Sequence, residues 1–176
     1  KGCPLESGQI QPGFNLTGKK GSITYPVFPG LYQGTGNAAL EKSDWDWTID
    51  PEGLRISLRM LYDRYAVPVM IVENGLGAYD QVEDGKVHDP YRIEYLKKHV
   101  EQLQLAVCDG IEVWGYYVWS FVDVMSTSNG YNKRYGLVYV DRTDSSPKEL
   151  KRICKDSYYW YQELLKVNGN ILDRRE

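Results

Sequence analysis

The chain has 176 residues, 42% of them hydrophobic and 26% charged, with a formal net charge of −3. This is the balance of an ordinary globular domain with a real core, and it excludes a global basic field that would draw in nucleic acid or an anionic membrane. An anionic substrate would need a local cluster of positive charge. The three cysteines (Cys3, Cys108 and Cys154) are odd in number and lack a CxxC pattern, which reads as free thiols in a reducing compartment rather than a disulfide framework. His88 and His99 sit in polar stretches without ligand-like spacing, so no metal or other cofactor is expected. No run is long enough to span a bilayer and no signal-peptide pattern is present, so the expected location is the cytoplasm. The 15 tyrosines and 5 tryptophans suit sugar or aromatic ligands, with core packing as the default for each ring.

Residues 1–44 are rich in Gly, Pro, Thr, Asn and Ser and lack a persistent period. They read as a loop-rich connection with short strands possible around Ser22 to Val27. Asp50-Pro51-Glu52 then predicts a helix start, with a capping acid, proline in the first turn and a second acid at the positive end of the dipole. Leu54, Leu58, Leu61, Tyr62 and Tyr65 follow at helical spacing. Val67 to Val72 does not alternate and predicts a strand buried on both sides. Asp89-Pro90 opens a second helix in the same manner, with Ile93, Leu96, Val100, Leu103 and Val107 as its stripe and Asp109-Gly110 as its stop. Ile111 to Phe121 predicts a second strand, "YGLVYVD" a short extended piece, and Cys154 to Val167 a last helix carrying Tyr158, Tyr161, Leu164 and Leu165.

Alternating helices and strands predict an α/β architecture with parallel strands. Two long strands cannot close a (β/α)8 barrel, which needs eight strands and about 250 residues. The expected domain is therefore an incomplete part of a TIM barrel over residues 1–176: a connection at 1–44, then the last two barrel strands with their helices at 45–176. The missing N-terminal part of the barrel is an expected partner.

Glu73 stands at the carboxyl end of the first strand, followed by a sharp Asn-Gly turn. In α/β folds that position faces the ligand crevice, although an ion-pair or loop-capping role is equally open to a lone acid. "VENGLG" (72–77), taken with "YYVWSFVDVMSTSNGYNKRYGLVYVDR" (116–142) and "SDWDWTIDPEGLR" (43–55), resembles the C-terminal signature of glycoside hydrolase family 1. The resemblance covers roughly residues 43–168 and implies that Glu73 is the nucleophile of a retaining β-glycosidase, an ionised carboxylate that attacks the anomeric carbon. The family's general acid lies in an Asn-Glu-Pro triplet on an earlier strand, and no such triplet occurs here.

The loop after the second strand narrows the substrate. Ordinary β-glucosidases of the family usually carry glutamate at the position of Ser126, where it would repel a phosphate. Ser126, Lys133 and Tyr135 in "MSTSNGYNKRYG" resemble instead the 6-phospho-β-glucosidase and 6-phospho-β-galactosidase branch, in which these positions hold the 6-phosphate. One cation faces the dianion and two hydroxyls donate to its oxygens. By the same resemblance Trp119 forms the floor under the sugar, Trp47 lines the leaving-group side, and the small Thr127 favours the gluco over the galacto substrate. Trp45, Trp114 and Trp160 carry no match and are expected in the core. Arg134, Asp123 and Tyr131 read as structural. The implied substrate is a phosphorylated disaccharide, such as cellobiose 6-phosphate, or an aryl β-glucoside. The alternatives are a 6-phospho-β-galactosidase and a non-catalytic sugar-binding or scaffold fragment. Nucleotide binding at "GTGN" (34–37) is disfavoured because no strand precedes it and the GxGxxG spacing is absent.

Overall fold

A computed structural model of the protein describes residues 15–28 and 30–170. Cys3 and the first fourteen residues of the expected loop region lie outside the described residues. The chain divides into two compact units, residues 1–49 and 50–176.

In the first unit, β1 (Val27–Phe28) and β2 (Tyr32–Gln33) form a two-residue antiparallel hairpin. Its interior is organised by Asp46, which is buried and accepts hydrogen bonds from Asn15 Nδ2 at 2.8 Å, Gly21 N at 2.6 Å and Ile23 N at 2.9 Å. Although burial pushes its carboxyl up, these donors outweigh it and hold Asp46 below the usual carboxylate range. Trp45 is buried beside it in sequence, as expected for a packing residue.

The second unit opens with α1 (Pro51–Tyr65), and the Asp50 side chain caps it by accepting from Gly53 N at 2.9 Å. Leu58 is buried and Leu54 and Tyr62 pack with it, whereas Leu61 and Tyr65 are exposed. β3 (Val69–Asn74) begins only after Pro68, which has no N–H to donate. The first ladder bond is Val69 N to Glu112 O at 2.9 Å. α2 (Pro90–Cys108) ends at Asp109, and Gly110 takes the left-handed conformation at φ 92° that lets the chain turn back. β4 (Val113–Val118) pairs parallel with β3, as the alternating pattern requires. β5 (Val138–Val140) and β6 (Arg152–Cys154) form a separate antiparallel pair, and α3 (Asp156–Lys166) follows. Cys154 thus belongs to a strand rather than to the last helix.

The core of this unit is Leu58, Ala106 and Ile111, against which Val69, Ile71, Leu103 and Val113 pack. Helices α1 and α2 therefore cover one face of the β3–β4 pair. The other face is bare, which corrects the expectation of a strand buried on both sides: Met70 is 45% exposed and Val72 66%. The apolar run remains two-sided because side chains of both parities are apolar, but these residues cover only one of its faces. Trp114, expected in the core, is 69% exposed and donates to Glu112 Oε1. His99 is not in polar surroundings; it is buried, its ring tilted at 30° to that of Tyr95 with centroids 4.0 Å apart, and burial lowers its pKa. Cys108 is an exposed free thiol and Cys154 a partly buried one. Among the described residues, no helix is long and apolar enough to cross a membrane and no group of three His, Cys, Asp or Glu could hold a metal ion.

Candidate active site

The site begins with an irregularity in β3. Ile71 pairs with Tyr116 but Asn74 pairs with Val118, so three steps on β3 span two on β4. The additional residue reverses the parity of the side chains beyond it. Ile71 faces the helices, and Asn74 faces them too: its side chain accepts from Tyr116 Oη at 2.7 Å and donates to Tyr95 Oη of α2 at 3.3 Å. Val72 and Glu73 are both exposed as a result. Glu73 is therefore presented on the bare face, at the carboxyl end of the strand, while its amide neighbour anchors to the opposite side.

Trp119 continues β4 on that same bare face. Its backbone N donates to Asn74 O at 2.8 Å, its peptide bond to Ser120 is cis, and its side chain is 39% exposed. The indole leans on Tyr135, ring centroids 6.4 Å apart and planes inclined at 59°. Tyr135 in turn donates to Ser126 Oγ at 3.3 Å, and Lys133 Nζ lies 5.6 Å from the Tyr135 ring centroid. All three of Ser126, Lys133 and Tyr135 are buried, Lys133 at only 2% exposure. A lysine merely facing solvent is thereby excluded. Burial pulls the Lys133 ammonium down from 10.5 to about 8, and burial pushes the Tyr135 phenol up against the opposing effect of its Ser126 hydrogen bond. Since Ser126 Oγ accepts from Tyr135, its own hydrogen can be donated to another acceptor.

Thr127 is exposed in the turn closed by the paired Ser126 and Gly130 backbone bonds, and it is not drawn into this cluster. Trp47 belongs to the first unit, where it is 49% exposed and its backbone N donates to Ser43 Oγ at 3.1 Å.

Beneath the cluster lies a network of buried charges of which the sequence reveals only a part. Arg134 pairs with Asp123 at 3.0 Å, as expected, and its guanidinium stacks 4.1 Å over Tyr139. Asp123 also accepts from Lys155 Nζ at 2.8 Å, and Lys155 reaches Asp80 as well. Arg92 bridges Asp80, at 3.1 Å, and Asp89, and donates to Arg134 O at 3.1 Å. Asp89 does not cap α2, contrary to the analogy with Asp50; it accepts instead from Ser157 N at 2.8 Å and Ser157 Oγ at 2.6 Å. Three aspartates thus meet three cations, with every side chain at 6% exposure or less. For Asp80 the cost of burial is outweighed by Arg92 and Lys155, which hold its carboxyl low. The network clamps the loop after β3 (Asp80) and the loop after β4 (Asp123, Arg134) to the starts of α2 and α3. The signal that could have found it, charged residues within otherwise apolar stretches, does not name the partners.

A cavity of about 670 Å³ on the helix side of β4 is lined by residues such as Val100, Leu103, Val107, Tyr161 and Leu164. It shares no residue with the Glu73–Trp119–Tyr135 cluster.

Comparison with known proteins places this geometry in a family. Residues 14–170 match the model of Glycosyl hydrolase family 1. The chain is 51% identical over 169 residues to the aryl-phospho-beta-D-glucosidase BglC of Bacillus subtilis, covering 96% of this chain and 35% of that protein. It is 49% identical to a 6-phospho-beta-glucosidase of Dickeya chrysanthemi over 140 residues (78% and 30%), and 42% identical to a 6-phospho-beta-galactosidase of Leptotrichia buccalis over 160 residues (89% and 33%). Among solved structures, the family 1 β-glucosidase of Thermotoga maritima in complex with isofagomine lactam aligns with a TM-score of 0.72 and 40% identity, covering 78% of this chain and 30% of that one. The chain spans about a third of the length of the curated relatives it matches, and its described residues form a partial α/β unit without a closed barrel. The chain belongs to glycosyl hydrolase family 1.

Proposed function

We propose that this chain is the C-terminal third of a retaining 6-phospho-β-glucosidase and supplies its nucleophile and its phosphate-binding loop. The observation that carries the substrate class is the buried Ser126–Tyr135–Lys133 cluster against the Trp119 ring. A buried ammonium over the ring of a tyrosine whose hydroxyl meets that of Ser126 suits an oxygen-rich dianion, and a carboxylate at position 126 would oppose it. The printed names of the relatives support the same class, with those acting on phosphoglucosides at 46% to 51% identity and the phosphogalactosidase at 42%.

In this reading β3 and β4 are the last two strands of the barrel. Glu73 attacks C1 of the sugar, the bond from C1 to the leaving oxygen breaks, and that oxygen takes a proton from an acid outside this chain. Water then attacks C1, its proton passes to the same group, and the bond to Glu73 breaks, so that configuration is retained. Trp119 packs its indole on the apolar face of the pyranose, and Ser126, Lys133 and Tyr135 hold the 6-phosphate. Trp47 on the leaving-group side and Thr127 as the gluco-favouring residue complete the assignment.

The test uses the complete enzyme that carries this chain. Glu73→Gln keeps the shape of the side chain and removes its charge, so kcat is expected to fall by about 10⁴-fold or more while the bound sugar is retained. Near-normal turnover would refute the nucleophile assignment.

A further inference from the structure

The loop that leaves Glu73 is stitched to the loop that holds Lys133. Ala78 N donates to Arg134 O at 3.0 Å and Arg134 N to Ala78 O at 2.9 Å, an isolated antiparallel bridge with Lys133 and Tyr135 on either side of its partner strand. Gly77 is buried next to this bridge, and its α-carbon faces the phosphate cluster without a side chain between. A Cβ at Gly77 would stand 2.9 Å from Tyr135 Cε1 and 3.0 Å from Lys133 Cγ, and closer still to Lys133 Cε. Its backbone is not in the left-handed region, since the positive-φ glycines do not include it. Glycine is required here by proximity, not by the turn.

We infer that Gly77 is a positioning residue for phosphate recognition: its missing side chain makes the slot in which the Lys133 stem and the Tyr135 ring lie. The inference rests on the phosphate reading of Ser126, Lys133 and Tyr135 and adds a residue from the nucleophile's own loop to that pocket. The contrast with Gly75 sharpens it. A Cβ at Gly75 would collide with the Trp119 carbonyl, whose carbon lies 2.8 Å away, and that is backbone which cannot yield. The nearest atom at Gly77 belongs to the flexible stem of a lysine, which can swing aside and leave the fold intact. Displacing it moves the ammonium and presses on the edge of the Tyr135 ring, whereas no atom of Glu73 or Trp119 is among the three nearest to the new methyl.

The experiment measures kcat and KM of the complete enzyme for p-nitrophenyl β-glucoside 6-phosphate and for the unphosphorylated glucoside. Gly77→Ala is expected to raise KM for the phosphorylated substrate by about tenfold or more, with kcat and the neutral substrate's kcat/KM within about twofold. In a Lys133→Ala background the same substitution should add less than about threefold, because the nearest side chain is gone and only the edge of the Tyr135 ring, 2.9 Å away, remains to yield. Equal losses on both substrates, or undiminished loss in the Lys133→Ala background, would overturn the inference. If Gly77→Ala does not fold, the double variant must fold, and failure of both also overturns it. Lys133→Ala alone separates the two levels: a loss confined to the phosphorylated substrate upholds the pocket even when Gly77 proves unimportant, whereas an unselective loss removes pocket and inference together.

Discussion

Raising the pH from about 7 to about 10 is expected to weaken recognition of the phosphorylated substrate and spare that of the neutral one. Burial at 2% exposure brings the Lys133 ammonium from 10.5 down to about 8. At about pH 10 only ~1% of the free enzyme would keep that charge. A charged hydrogen bond to the phosphate is worth about 1.5–3 kcal/mol, so kcat/KM for the phosphorylated glucoside should drop roughly ten- to a hundredfold relative to the neutral one. Dividing one substrate's profile by the other's cancels the titration of groups common to both reactions. The ratio should fall with a midpoint near about 8 at the alkaline end, and below about 6 at the acid end as the phosphate itself takes up a proton. Burial keeps the Tyr135 phenol protonated above its ordinary range, so the alkaline limb belongs to the lysine. A flat ratio, or a midpoint near the ordinary value of lysine, would refute the reasoning. The same burial has a stability signature of definite sign. Because the folded pKa lies below the unfolded one, the unfolded chain binds more protons between about 8 and 10.5, and stability gains on the order of 3 kcal/mol as pH rises through that window.

Two further outcomes are expected in the complete enzyme. Ser126→Glu places a carboxylate beside Tyr135 Oη and Lys133, and should raise KM for the phosphorylated substrate by about a hundredfold while changing KM for the neutral one by less than about threefold; equal effects on both would count against the pocket. Lys155→Met leaves Asp80 and Asp123 buried without the ammonium they share, which should cost about 3–5 kcal/mol in urea unfolding. A loss below about 1 kcal/mol would mean that the network carries little of the fold.

The helices were legible in the residues because caps and stops are local chemistry. Asp50-Pro51 and Asp109-Gly110 announce the start of α1 and the end of α2 where they occur. The start of α2 looked identical yet works differently, because whether Asp89 caps its helix or serves Ser157 depends on a residue 68 positions away. The apolar run before Glu73 encodes a strand but not its enclosure. Parity of side chains reveals which surfaces are apolar, not which of them this stretch of chain covers. The parallel pairing of β3 with β4 came from alternation, whereas the β5–β6 pair and the charge network rest on contacts that no period encodes. Of the candidate site, the types and order of Glu73, Trp119, Ser126, Lys133 and Tyr135 are readable. The burial that lowers the lysine pKa, and the glycine that gives the lysine room, are not.

The additional residue in β3 has a consequence for how relatives should be compared. It, and not the chemistry of the side chains alone, decides which member of the acid–amide pair stands on the bare face. Were Ile71 to Asn74 to alternate strictly, with no residue bulged out, the carboxylate would turn toward Tyr95 and Tyr116 and the amide would take its place on the bare face, with every functional group still encoded. Superpositions that enforce strict two-residue spacing along this segment would therefore put the Glu73 carboxylate on the wrong side of the sheet.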